Sequence, residues 1–238
     1  MFLDGADIPI SNEGCTVISN EGCTVISLGN YCLTSMILKE NGLKSASYPF
    51  DWMVSCIDNI THAIDDDFRE FLNIQNYEYT PYGKEPMTRN KFYYPNTSKL
   101  FTDEKSLRLK TDHQHHDLTK PEHYSYLTRC VERFNNLGKD NKIVFVMIQP
   151  LYISNCKVDN SKYSKLYNVL TKKFGITVKL LIFNMVKLNN ELFKEEIIGN
   201  NIQVYELESK ISKGLYGMQW YDEKGVNKLL EIVKNACN

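Results

Sequence analysis

Three short stretches of the chain carry residue types that can do chemistry. The first is Ser27-Leu28-Gly29-Asn30-Tyr31-Cys32, where a β-branched run ends in glycine and a cysteine follows three residues later. The run from Cys23 to Leu28 reads as a buried strand closed by Gly29. Residues 31–40 read as a helix, with Leu33, Met36 and Ile37 on one face and Gly42 past its end. Cys32 then falls in the first helical turn, where unpaired backbone N–H groups and the helix dipole favour an anion. That position stabilises a thiolate, and it singles out Cys32 among seven cysteines as a candidate nucleophile. The alternative is a small apolar residue packing helix on sheet. Ser27, Gly29 and Asn30 are the candidate substrate-facing residues, because open α/β sheets bind ligands outside the carboxyl ends of their strands. Gly29 permits a turn that other residues resist. A phosphate is the rival ligand for such a helix end, but neither GxGxxG nor GK[ST] occurs.

The second stretch is Tyr48-Pro49-Phe50-Asp51-Trp52. A carboxylate between large aromatics is either solvated at a rim or held by a specific donor; if buried, it needs a partner or a raised pKa. Asp51 is a candidate to orient a histidine, to bind a polar substrate or to act as a base, and its alternative role is capping a turn. Trp52 belongs either to the core or to the wall of the substrate site.

The third stretch is Asp112-His113-Gln114-His115-His116-Asp117. Consecutive residues rarely converge on one ion and a helical HExxH is absent, so neither a metal nor another cofactor is expected. One imidazole oriented by a carboxylate would supply a general base.

The elements that must position these residues alternate along the chain. Ser55-Cys56-Ile57-Asp58 resembles a capping box and opens a helix to about Leu72, with Ile57, Ile60, Ile64, Phe68 and Phe71 on one face. Residues 73–118 are rich in Tyr and Pro and form either an irregular insertion or short antiparallel strands. Thr119 caps a helix from Pro121 to about Leu137. Residues 143–148, 178–183 and 202–207 are strands. Residues 161–174 and 222–236 are helices, and residues 190–198 form a short helix. Apolar strands alternating with helices predict a mainly parallel sheet flanked by helices on both faces.

The chain of 238 residues is read as a duplicated N-terminal arm, residues 1–22, followed by a single α/β domain, residues 23–238. Ser11–Ile18 is repeated without change as Ser19–Ile26. The second copy runs on into Gly29 and is the core strand; the first is an edge strand, a hairpin arm or disordered. Residues 1–10 lack a basic region, and no apolar run is long enough to span a membrane. The expected compartment is the cytoplasm, with free thiols. A net charge of −1 gives no field that favours nucleic acid.

Ser27-Leu28-Gly29 with Cys32, Ser47 to Trp52, Asp67-Phe68 with Phe71-Leu72, His116-Asp117, and Tyr126, Arg129, Arg133 and Phe134 together form a pattern. This pattern resembles the domain-of-unknown-function family of putative papain-like cysteine peptidases, well over residues 23–150 and more loosely beyond. Such domains occur in bacteria and large DNA viruses. The resemblance implies Cys32 as nucleophile, His116 as base, and Asp117 or Asp51 as orienting acid.

The leading expectation is a thiol-dependent hydrolase or acyl transferase acting on a peptide, acyl or glycan-type substrate. Two alternatives stand beside it. One is a binding module for a glycan, a nucleotide-sugar or a protein, and the other is a glycan-modifying transferase using Asp51 as base.

Overall fold

The computed structural model describes residues 22–79, 88–97, 116–138, 142–150, 159–175, 177–186, 193–208 and 223–238. In chain order the first elements are β1 (Cys23–Ser27), α1 (Cys32–Glu40), α2 (Ile57–Asp65), α3 (Arg69–Leu72), β2 (Tyr77–Tyr79), β3 (Thr88–Asn90), α4 (Tyr94–Thr97) and α5 (Pro121–Asn135). Then come β4 (Lys142–Pro150), α6 (Asn160–Phe174), β5 (Val178–Val186), β6 (Phe193–Ile197), β7 (Ile202–Glu208) and α7 (Glu223–Cys237). The main sheet has the order β1-β4-β5-β7-β6. The first four strands are parallel, and β6 runs antiparallel to β7. The Tyr-rich insertion contributes a separate antiparallel pair, β2 with β3.

The sheet is covered on both faces, which is why β4 and β5 read as unbroken apolar runs. Val144, Val146 and Ile148 of β4 face one way and pack with Leu33 and Ile37 of α1 and Leu229 and Val233 of α7. Ile143, Phe145 and Met147 face the other way, toward Ile60 of α2, Phe134 of α5 and Leu166 of α6. On that second face Phe134 meets Phe50, Phe68 and Phe174 edge to face, at ring separations of 6.2, 5.3 and 5.1 Å. Truncating such a buried ring to alanine costs about 3–5 kcal/mol.

Several local expectations are corrected. The helix expected from Ser55 to Leu72 is broken: α2 stops at Asp65, and Asp67 and Phe68 take left-handed φ of 55° and 63°. The Phe68 N–H closes onto the Ala63 carbonyl at 2.7 Å, and its fully buried ring joins the aromatic cluster. That burial offsets about 1–2 kcal/mol for the left-handed backbone. Ser55 is not the helix cap; Cys56 is, without a side-chain bond. Lys120, not Thr119, caps α5. The short helix expected at residues 190–198 is instead the edge strand β6, because pairing with β7 overrides local propensity.

The expectation of free thiols throughout is also corrected, since Cys23 and Cys237 form a disulfide that ties β1 to α7. Among the described residues, Cys32 and Cys130 carry free thiols. The first copy of the duplicated segment lies outside the described residues. Among the described residues, no helix is long and apolar enough to cross a membrane.

Candidate functional site

The chain leaves β1 through two successive left-handed residues, Gly29 (φ 73°) and Asn30 (φ 75°). Glycine is required at the first, because a β-carbon there would lie 2.6 Å from the Phe50 carbonyl oxygen. Asparagine tolerates the second better than most residues. Hydroxyl groups fix the turn. Ser27 Oγ accepts the Gly29 N–H at 3.2 Å, and Ser55 Oγ accepts the Asn30 N–H at 3.2 Å. The Ser55 N–H returns to the Asn30 carbonyl at 3.3 Å. Thr34 Oγ1 donates to the Gly29 carbonyl at 3.0 Å and accepts from the Ile148 N–H at 3.2 Å, joining the turn to β4. Ser27, Asn30, Thr34 and Ser55 are all buried, so they shape the strand end and are not open to a substrate. Sequence reasoning missed Thr34 and Ser55; the only available signal was a hydroxyl among apolar neighbours.

Cys32 is the first residue of α1 and is half-buried. The backbone N–H groups of Cys32 and Leu33, in the first turn, draw its pKa down. Even so, burial pushes the thiol above its ordinary pKa, and the two N–H groups only partly offset this. The stabilisation of a thiolate expected from the helix start is thus outweighed by burial. The Gly29 and Asn30 N–H groups are occupied by Ser27 and Ser55. The donors left at this turn for a developing oxyanion are those at the start of α1.

One turn along α1 lies a buried ion pair. Lys44 Nζ stands 2.5 Å from Asp51 Oδ2 and donates to Ser35 Oγ at 2.7 Å. The two charged side chains are 3% and 0% exposed. Asp51 Oδ2 also accepts the Tyr48 N–H at 2.7 Å. Burial pushes the Asp51 carboxyl up, while Lys44, the Tyr48 N–H and Ser35 draw it back down. Oδ1 has no hydrogen-bond partner among the described residues. Asp51 thus caps its own turn and pairs with Lys44, and none of these bonded partners is a histidine. Trp52 is half-buried, with Lys44 Nζ 5.9 Å from its ring centroid.

The same segment is gripped from α5. Arg133 Nη1 donates to the Ser47 carbonyl, and Tyr126 is hydrogen-bonded to the side chains of Ser47 and Cys130. Burial holds the Tyr126 phenol up at about 12. His116 lies over Tyr126, with ring centroids 4.6 Å apart, and meets His123 at 5.5 Å.

Asp117 is engaged elsewhere. Its Oδ1 accepts from Thr119 N–H at 3.0 Å and Thr119 Oγ1 at 2.6 Å, and its Oδ2 accepts from the Tyr79 hydroxyl at 3.2 Å. Desolvation opposes its charge, but these bonds prevail and hold the carboxyl below its ordinary pKa. The Asp117 N–H donates to His123 Nδ1 at 2.8 Å, so in this arrangement Nδ1 carries no proton. His113 and His115 lie outside the described residues.

The structure brings Ser27, Gly29, Asn30 and Cys32 into one turn. Ser35 and Lys44 link that turn to Asp51 and Trp52. His116 and Asp117 sit at the entrance to α5, whose Tyr126 and Arg133 reach Ser47. Ser35 of α1 thus reaches Asp51 through Lys44, and Arg133 of α5 reaches Ser47.

The class defined by this arrangement is a parallel α/β protein with a thiol on the first helical turn after its first strand. The chain belongs to the family described as "Putative papain-like cysteine peptidase (DUF1796)", matched over residues 23–157. That span runs from β1 through β4 and contains Cys32, Asp51, Trp52, His116 and Asp117. No curated protein and no solved structure matches the chain.

Proposed function

We propose that the protein is a thiol-dependent hydrolase or acyl transferase with Cys32 as nucleophile and His116 as base. The observation that carries this reading is the placement of Cys32. It is the first residue of α1, directly after a strand end fixed by Ser27, Thr34 and Ser55. A neutral resting thiol needs a base at the moment of attack. The thiol proton passes to the imidazole, the sulfur bonds to the carbonyl carbon, and the C=O electron pair moves to oxygen beside the α1 N–H groups. Collapse of this intermediate breaks the bond to the leaving group, which takes the proton from the imidazolium. Water or an acceptor nucleophile then cleaves the thioester and restores the thiol. Half-buried Trp52 is the group offered to a peptide, acyl or glycan-type substrate. Asp51, without solvent exposure and paired with Lys44, supports the loop and does not act as a base on substrate. We place this activity in the cytoplasm, on neither membrane nor nucleic acid.

Iodoacetamide labelling tests the pairing. At neutral pH, His116→Gln slows modification of Cys32 by on the order of tenfold or more. At strongly alkaline pH, where the thiolate forms unaided, the two chains react alike. Equal rates at neutral pH would remove His116 from the mechanism.

A second reading is a binding module without chemistry. The neutral thiol, with no imidazole bonded to it, favours this reading. It expects Cys32→Ser to leave ligand affinity and biological effect unchanged, whereas the hydrolase loses turnover.

A further inference from the structure

The two strands nearest the Cys32 turn send the chain to opposite faces of the sheet. β1 leads into α1, whose Leu33 and Ile37 pack with Val144, Val146 and Ile148. β4 leads to α6, whose Tyr163 and Leu166 pack with Phe145 and Met147 on the other face. β1 and β4 are parallel neighbours, so their carboxyl ends flank a switch point, the place where open α/β sheets bind ligands. Cys32 stands on the β1 side. Thr34, two residues beyond it, ties the two sides together, because its Oγ1 accepts from the N–H of Ile148 at 3.2 Å. The next residue of β4 is Gln149.

At Gln149 the α6 face of the sheet changes from apolar to polar in a single row. Met147, Ile182 and Val204 are register partners across β4, β5 and β7, and all belong to the core. Two residues further on, the partners are Gln149, Asn184 and Glu206. Gln149, Asn184 and Tyr163 are buried, yet their hydrogen bonds do not balance. The Tyr163 hydroxyl lies 3.3 Å from Gln149 Oε1 and 3.4 Å from Asn184 Oδ1, and its single proton serves one of them. Asn184 Nδ2 donates to the same hydroxyl at 3.3 Å. Gln149 Nε2 carries two hydrogens, and its acceptor among the described residues is the Met147 sulfur, a weak one. The cluster therefore holds an amide N–H and an amide oxygen in need of partners. Buried polar groups left in that state cost free energy, and a ligand that supplies the partners recovers it.

We propose that Gln149, with Asn184 and Tyr163, is the subsite of the Cys32 centre that binds a peptide group of the substrate. The inference rests on the reading of Cys32 as nucleophile and names the substrate class. A peptide group offers a C=O and an N–H side by side, the complements of the N–H and oxygen that the cluster leaves over. Gln149 Nε2 donates to the peptide carbonyl, and the amide oxygen not served by Tyr163 accepts the peptide N–H. An anionic ligand is disfavoured. The three side chains are neutral, and burial above all, with Glu196 and Glu206, holds the Tyr163 phenol up at about 12 against the bond from Asn184. Those two carboxylates oppose a phosphate or a second carboxylate in the same place.

Two alkylating reagents on the full chain test it. The probe is an acetylated dialanyl chloromethyl ketone, which carries peptide groups beside its electrophilic carbon. Binding before reaction makes its rate at Cys32 saturate with concentration. Gln149→Leu keeps the volume and removes the donor, and should raise the half-saturating concentration about five- to tenfold. Iodoacetamide has no peptide chain to reach Gln149, and its rate at Cys32 should change by less than about twofold. An unchanged half-saturating concentration in Gln149→Leu overturns the proposal, and so does a rate that never saturates in the unsubstituted chain. Equal slowing with both reagents would assign the effect to the fold and overturn it too. If Gln149→Leu does not fold, Tyr163→Phe decides by the same criteria, since it removes the hydroxyl that both amides share. The nucleophile reading is judged separately, by the His116 dependence of the iodoacetamide rate. If that dependence holds while Gln149→Leu has no effect, the subsite falls alone.

Discussion

The α-carbon of Gly29 packs against the carbonyl of Phe50 so closely that a β-carbon on Gly29 would sit 2.6 Å from that oxygen. This contact joins the two most distinctive parts of the sequence, the strand end that leads to Cys32 and the Tyr48–Trp52 block. Gly29→Ala adds the clash to a left-handed backbone of φ 73°. The expected loss is about 2–4 kcal/mol of folding stability, read as a lower urea midpoint with an unchanged slope. A loss below about 0.5 kcal/mol would show that the Phe50 turn yields easily.

The Cys32 thiol should titrate high. Burial outweighs the pull of the helix-start N–H groups, so its alkylation rate should rise with pH to a midpoint above that of an unperturbed cysteine. Cys56 and Cys130 are buried and should label more slowly at every pH. A Cys32 midpoint below the ordinary thiol value would mean that the helix start, not burial, governs the sulfur.

Lys44 is the main group holding the charge on Asp51. Lys44→Met leaves a carboxylate with no exposure and no cation, which costs about 3–5 kcal/mol near neutral pH. The sign of the pH dependence follows from proton binding. Without Lys44 the folded-state pKa of Asp51 rises further above its unfolded value, so the folded chain binds the proton more tightly. The deficit is therefore smallest at acid pH, grows as pH rises through the interval between the two pKa values, and is full above it. Removing the charge as well, in Lys44→Met with Asp51→Asn, should recover part of the loss. Chemical denaturation at pH 4 and pH 7 measures both effects, and a deficit independent of pH would assign the cost to lost packing.

The Cys23–Cys237 bond closes a loop of nearly the whole chain, with a sequence separation of 214. Cys237→Ala should lower stability by about 2–4 kcal/mol without reductant, and a strong reductant should abolish the difference. If the bond is absent from the purified protein by peptide mapping, reductant will have no effect on either chain.

The sequence by itself determined the layered architecture. Apolar runs at residues 143–148 and 178–183 have no polar side to offer water, so they demand helices on both faces, and β4 and β5 have them. It also determined the turn after β1, because Gly29 marks a backbone that a side chain obstructs. The spacing of Phe68 and Phe71 correctly marked buried positions. Periodicity could not reveal that Asp67 and Phe68 break the helix, because the ring stays buried either way.

The tertiary structure alone decided the rest. Ser55 left the helix cap to hold Asn30, 25 residues away. Asp51 found Lys44, and Asp117 found Tyr79, 38 residues away. These partners are set by how helices and loops pack, and local sequence carries no record of them. The charge on Cys32 belongs to the same category. Its place at a helix start was legible in the sequence, but the desolvation that raises its pKa comes from the packed surroundings.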